Sequence, residues 1–341
     1  MKKKLFSLLL LCTVPCLLFA QKTISGADSA RIVVDSIMNY AQSKSIYRDR
    51  VNWESIRTTV YQKSAQASSV QEVMPAVELI YQLLGDFHGF TNRGRKYYKW
   101  RQKNPKPDTL LYRSTLRKIK KGPGVDIRIF DQKYGYLLIP ENNPTHKGDN
   151  ERLAQQLQDS LSKLNPSKLK GIIIDLRTNS GGNMYPMILG VANLLGDGQL
   201  GSFIDPVTLK KESWEIRGKE IYAGDELMCR LNTLAALNTK LKIVVLTGMN
   251  TASSGEATAI SFKGRKNTWF IGENTGGYTT ANDSFRIFDL NVFIATAVEA
   301  DRNRVIYDKN VSPDQEILAG DNFEELTNDA KIIAALRWLK H

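Results

Sequence analysis

The chain is poor in the residue types that most often carry metal or redox chemistry: its 341 residues include three cysteines and three histidines. Cys12 and Cys16 fall in the first twenty residues, which leaves Cys229 alone in the remainder. A lone cysteine cannot close an internal disulfide, so stability has to come from a packed core, which a chain of this length can supply. No Cys/His spacing suggests a metal centre and no phosphate-cradling loop precedes a lysine, so neither metal nor cofactor is expected. Beyond the first twenty residues no apolar run is long enough to cross a bilayer, and there are no internal repeats or low-complexity tracts.

The first twenty residues have the pattern of an export signal. Lys2, Lys3 and Lys4 precede an apolar run from Leu5 to Phe19, broken by Pro15, and Ala20 before Gln21 is a plausible cleavage point. Neither Cys12 nor Cys16 has the small residues before it that a lipoprotein signal needs. The expectation is an exported protein, periplasmic or extracellular, with no integral membrane segment in the mature chain. The formal net charge of +12 includes those three lysines. The other basic residues are dispersed, apart from Arg93, Arg95, Lys96, Lys99, Arg101 and Lys103 with Tyr97, Tyr98 and Trp100 among them. In an exported protein that run reads as solvated surface first and contact with anionic groups second; no nucleic-acid partner is expected.

Three regions follow the leader. Residues 21–90 are helical: Ile32, Val33, Ile37 and Tyr40, then Val73, Ala76, Val77, Ile80, Tyr81 and Leu84, recur at helical spacing up to a stop at Gly85. Residues 91–130, basic and containing Pro105, Pro107 and Pro123, form a connection. Residues 131–341 alternate strand and helix, with strands expected at Tyr134–Ile139, Gly171–Leu176 and Ile243–Thr247. Helices are expected over Leu153–Leu164 and Met184–Leu195. Continuous apolar strands separated by helices predict an α/β core with a largely parallel sheet.

Chemistry concentrates in three short segments. Asp175-Leu176-Arg177-Thr178-Asn179-Ser180-Gly181-Gly182 is a glycine-rich turn after a buried strand. Its backbone N–H groups suit a developing oxyanion, although a plain chain reversal explains it equally well. Thr251-Ala252-Ser253-Ser254-Gly255-Glu256 opens a helix after another buried strand. A serine there is ordinarily an N-cap, and becomes a nucleophile only if a base reaches its hydroxyl. Leu83-Leu84-Gly85-Asp86-Phe87-His88-Gly89 holds the histidine best placed to be that base, since His146 lies in a polar stretch and His341 ends the chain. Its plainer reading is a junction histidine with local hydrogen bonds.

These segments, together with Ile271-Gly272-Glu273-Asn274-Thr275-Gly276-Gly277 and Val311-Ser312-Pro313-Asp314, resemble the S41 serine peptidases in order and approximate spacing. The helical lead-in looks like that of tricorn-like and retinoid-binding-protein-like members. The resemblance implies a crotonase-like α/β core, Ser253 as nucleophile, and an oxyanion hole of the Ser254 N–H with Gly181 or Gly182. Tyr278 stands where the tail-specific branch has its base lysine, and Lys263, ten positions after Ser253, lies roughly 15 Å along a helix. The tricorn-like arrangement therefore fits, with His88 as base. Asp308 is the carboxylate nearest the place where that arrangement has its acid, and Asp301 and Glu299 compete. Only 45 residues separate His88 from Tyr134, too few for a PDZ module. The expected activity is hydrolysis of a peptide or unfolded protein segment through a serine ester. The rival readings are a noncatalytic binder of an apolar ligand or peptide on the same fold, and a small-molecule esterase or amidase.

Overall fold

A computed structural model describes residues 25–100, 108–122, 124–236 and 238–341. The expected leader and two members of the basic run, Arg101 and Lys103, lie outside the described residues. The chain opens with α1 (Gly26–Lys44), α2 (Trp53–Ser64) and α3 (Met74–Leu84). Polar side chains start the first two: Ser25 Oγ accepts from Asp28 N at 3.0 Å and Asn52 Oδ1 from Ser55 N at 3.0 Å. α3 ends on Gly85, whose φ of 75° lies where side chains are disfavoured. Val33 and Ile37 of the first expected stripe and Val77, Ile80 and Leu84 of the second are buried, whereas Ile32 is exposed and Val34 takes its place in the core; much of what they cover is a strand from the far end of the chain.

The segment read as a connection is partly sheet. It contributes β1 (Phe90–Arg93) and β2 (Lys96–Tyr98), then α4 (Arg113–Lys120) and β3 (Asp126–Phe130). The core continues with β4 (Tyr134–Leu138), α5 (Asp149–Lys163), β5 (Gly171–Asp175), α6 (Met184–Leu189) and α7 (Ala192–Leu195). Four strands follow: β6 (Gly198–Ile204), β7 (Lys211–Arg217), β8 (Glu220–Ala223) and β9 (Glu226–Arg230). The remainder is β10 (Lys242–Thr247), α8 (Ser254–Ile260), β11 (Thr268–Gly272), β12 (Thr280–Ile287), β13 (Leu290–Asp301), β14 (Ile306–Tyr307), β15 (Gln315–Glu316) and α9 (Ala330–Lys340).

Two sheets organise these elements. The six-stranded sheet runs β15-β11-β10-β5-β4-β3 and is parallel except at its β3 edge, as the apolar strands predict. Its central strands are buried on both faces: Ile172, Ile174, Ile243 and Val245 face α5 to α8, while Ile173, Val244 and Leu246 face α9. The nine-stranded antiparallel sheet was not expected. It runs β2-β1-β13-β6-β7-β8-β9, with β12 and β14 also paired to β13. Leu290, Val292 and Ile294 of β13 carry the helical lead-in on one face of that sheet. β13 therefore joins the N-terminal helices to the core: its Ala295 N donates to Asp86 of the His88 segment, and α8, which Ser253 opens, packs beside it.

A buried ion network clamps the C-terminus to the Asp-Leu-Arg turn. Arg177 pairs with Asp175 at 2.7 Å, Asp321 at 2.6 Å and Asp329 at 2.8 Å, and Lys331 reaches Glu273 and Asp321 at 2.8 Å each. Asp329 also caps α9 by accepting from Lys331 N and Ile332 N. These carboxylates hold the Arg177 guanidinium well above its ordinary pKa, against the opposing effect of burial.

Candidate active site

β10 ends at Thr247 and the chain turns sharply into α8. The turn is pinned from beneath: Thr251 Oγ1 donates to Leu176 O at 2.9 Å, and Ala252 N donates to Asn179 O at 3.0 Å. Gly255 passes so close to Asn179 that a Cβ would fall 2.5 Å from its carbonyl oxygen. Ser253, just before the first residue of α8, has φ 53° and ψ −122°, a conformation that costs a non-glycine residue on the order of 1–3 kcal/mol. Its N–H donates to Glu256 Oε2 at 2.8 Å, the carboxylate half of a capping box.

The hydroxyl meets His88. Ser253 Oγ lies 3.1 Å from His88 Nε2, across 165 residues of sequence. His88 is delivered by the turn after α3, and buried Asp86 organises that turn. Its carboxylate accepts from His88 N at 3.1 Å, Gly89 N at 2.7 Å and Ala295 N of β13 at 3.0 Å. Burial pushes the Asp86 pKa up and those donors oppose the push. The imidazole Nδ1 lies 2.6 Å from Thr280 Oγ1, at the start of β12, and Asn282 Nδ2 donates to the His88 carbonyl at 3.2 Å. Tyr278 stacks edge-on to the imidazole at 5.2 Å and to Phe87 at 5.4 Å.

The third expected site residue is placed differently from the first two. Asp308 is exposed, while the group at Nδ1 is a threonine hydroxyl. Asp301 accepts from Tyr307 OH, Asn303 N and Val305 N. Glu299 is buried with Oε2 unpartnered among the described residues, and its pKa is raised far above the usual range by burial and, secondly, by the charge of Glu256. Thr280 carried no sequence signal, because one threonine at a strand start resembles any other.

The glycine pair also divides. Gly181 and Gly182 have φ 117° and 108°, and a Cβ on Gly181 would lie 3.0 Å from Ser253 Cβ. The Gly181 N–H is already given to Asn179 Oδ1 at 3.0 Å. Gly182 N–H has no acceptor among the described residues, and Ser254 Oγ donates to Gly182 O at 2.6 Å, tying the two turns together. Ser254 N, at the first position of α8, has no intrahelical acceptor. The N–H groups of these turns that are not given to a described acceptor are thus those of Ser254 and Gly182, while that of Gly181 is engaged by Asn179.

The other candidates lie apart. Lys263 donates to Ser312 O at 3.0 Å and sits over the Phe270 ring; His146 is exposed beside Thr145 and Asp149. In the basic run, Arg93 pairs with Asp289, and Lys96 and Lys99 lie over Tyr98 and Tyr97, as expected of surface. Among the described residues no His/Cys/Asp/Glu group could hold a metal ion, and no helix is long and apolar enough to cross a membrane.

Comparison with known proteins agrees with this geometry. The model of peptidase family S41 matches residues 133–317. The chain is 31% identical over 303 residues to the nisin-resistance protein of Lactococcus lactis subsp. lactis, covering 86% of this chain and 82% of that one. Its fold is similar to a lipoprotein from Streptococcus agalactiae, with a TM-score of 0.68, 24% identity, and 93% and 96% of the two chains covered. It is also similar to the photosystem II D1 C-terminal processing protease, with a TM-score of 0.56, 14% identity, and 88% and 96% covered. The chain belongs to peptidase family S41 and is a serine-type peptidase, with a helical N-terminal region ahead of a sheet-rich core.

Proposed function

We propose that this peptidase cleaves peptides or unfolded protein segments of the cell envelope through an ester on Ser253, with His88 as its base. The observation that carries the reading is the 3.1 Å approach of His88 Nε2 to the Ser253 hydroxyl. With a proton on Nδ1 directed at Thr280, Nε2 presents its lone pair to the serine and takes the hydroxyl proton as Oγ attacks the scissile carbonyl. The oxyanion accepts from the N–H groups of Ser254 and Gly182; one such donor is typically worth about 2.7–4 kcal/mol. His88 then gives its proton to the leaving amine, and water repeats the sequence on the ester. In this reading the Thr280 hydroxyl, rather than Asp308, accepts from Nδ1 and fixes the tautomer.

An exported setting is supported by the nature of the relatives, a nisin-resistance protein and a lipoprotein. The name of the first also suggests a peptide antibiotic as one kind of substrate. A fluorophosphonate probe tests the reading. Covalent labelling of the parent on Ser253, lost in Ser253→Ala and strongly slowed in His88→Ala, is the expected result. An intact folded protein that the probe does not label would favour the noncatalytic binder.

A further inference from the structure

Next to the Ser253 backbone, Glu256 accepts from four donors at once. They are Ser253 N at 2.8 Å, Gly277 N at 2.9 Å, Tyr278 N at 2.7 Å and the Thr275 hydroxyl. Three of the four belong to the loop that leads into β12, two residues before Thr280. We propose that Glu256 is a positioning residue for the peptidase reaction: its ionised carboxylate locks the nucleophile's backbone and, through the 275–278 loop, the strand that carries the partner of His88. This rests on the reading of Ser253 as nucleophile.

The geometry explains why a carboxylate is required. Ser253 sits at positive φ, and only an acceptor behind it can hold its N–H there while Glu256 N and Ala257 N take its carbonyl. With that peptide locked, Oγ points to His88 and the next N–H, that of Ser254, is left to face the substrate. All four groups around Glu256 are donors, so an ionised carboxylate satisfies them with two oxygens, whereas a carboxamide or carboxylic acid would turn a donor against a donor. The titratable group that faces it is Glu299 of β13, whose own carboxyl the Glu256 charge helps keep protonated. His88 of the α3–β1 turn lies 3.1 Å from the Ser253 hydroxyl. Burial pushes the Glu256 pKa up to about 6, partly offset by its four donors, so its protonation falls on the acid side of the working range.

The test compares Glu256→Gln with the parent by peptide hydrolysis and by the rate of fluorophosphonate labelling across pH. The expected result is a fall of about 100-fold or more in both kcat and labelling rate with KM within about threefold, because the defect lies in reacting geometry rather than in binding. The acid limb of log(kcat/KM) should fall with a slope of about 2 in the parent, where His88 must be neutral and Glu256 ionised, and about 1 in the variant. A parent that labels and a Glu256→Gln protein that labels equally fast, with an unchanged limb, would overturn the proposal and leave the nucleophile reading intact; a parent that never labels defeats that reading first. Should the Gln variant fail to fold, Thr275→Val removes one donor that favours the ionised form. Its acid limb must then move to higher pH, and an unmoved limb counts against the proposal.

Discussion

Replacing Thr280 by valine asks whether a neutral hydroxyl can serve a histidine base. Valine keeps the branched shape at this buried strand start and removes the oxygen 2.6 Å from His88 Nδ1. In the resting enzyme the lost bond is neutral and worth about 1 kcal/mol. In the transition state the imidazole is becoming cationic, and a hydrogen bond to a charged group is worth about 1.5–3 kcal/mol. The barrier rises by the difference, about 0.5–2 kcal/mol, which corresponds to a fall in kcat of roughly two- to 30-fold, with KM little changed. The loss should stay well short of the 10³-fold or more expected of His88→Ala, since loss of the base itself removes the proton acceptor. Thr280→Ser restores the oxygen without the methyl group and should recover most of the rate. The assay is steady-state hydrolysis of a fluorogenic peptide, with thermal unfolding to confirm that each variant is folded. Thr280→Val at parental rate beside a tenfold or larger loss in Asp308→Asn would refute the reasoning and return Asp308 to the site.

Ser253→Ala should abolish turnover while leaving stability within about 1 kcal/mol, and Ser253→Gly should be the more stable of the two because it alone relieves the positive φ; urea denaturation decides. Gly182→Ala would bring a methyl group to within 1.8 Å of Asn142 O, so a fall in kcat of about 100-fold or more is expected from the displaced donor, with the fluorophosphonate rate falling alongside. Arg177→Leu should cost about 3–5 kcal/mol in urea denaturation, because it strands Asp175 and Asp329 without their cation in the interior. Glu299→Gln tests the buried carboxyl. A pKa raised by folding means that the folded state holds a proton the unfolded chain releases, so this group makes stability fall as pH rises from about 4.3 toward its folded value. The variant should therefore lose less stability than the parent between pH 5 and 8, measured as the difference in urea midpoints.

What could be read in advance follows from which interactions leave a local trace. The strands of the parallel sheet are buried on both faces, so Ile172–Ile174 and Ile243–Leu246 stand out as unbroken apolar runs, and the helices between them show their stripes. The antiparallel sheet leaves a weaker mark. In β7, Lys-Glu-Ser-Trp-Glu-Ile-Arg, only Trp214 and Ile216 are buried, and such alternation over seven residues is easily taken for a loop. The same difference governs the site. Ser253 and His88 lie in motifs whose glycines and small residues are required by close backbone approach, as Gly255 over Asn179 illustrates. Thr280 is selected only by where β12 pairs with β13, a register that sets Thr280 opposite Val298 and is invisible in the threonine itself. Asp308 was favoured because an acid near Val311 fits the pattern of relatives. The chain instead leaves that acid in solvent and spends its buried carboxylates, Asp86 and Glu256, on backbone N–H groups. Those two appear in the very segments that mark the site, Leu-Gly-Asp-x-His and Ser-Ser-Gly-Glu. In each, the acid two or three residues from the reacting side chain holds the turn that presents it, and a carboxylate with that task is not free to orient the imidazole. The hydroxyl that meets Nδ1 comes from a third element, the start of β12.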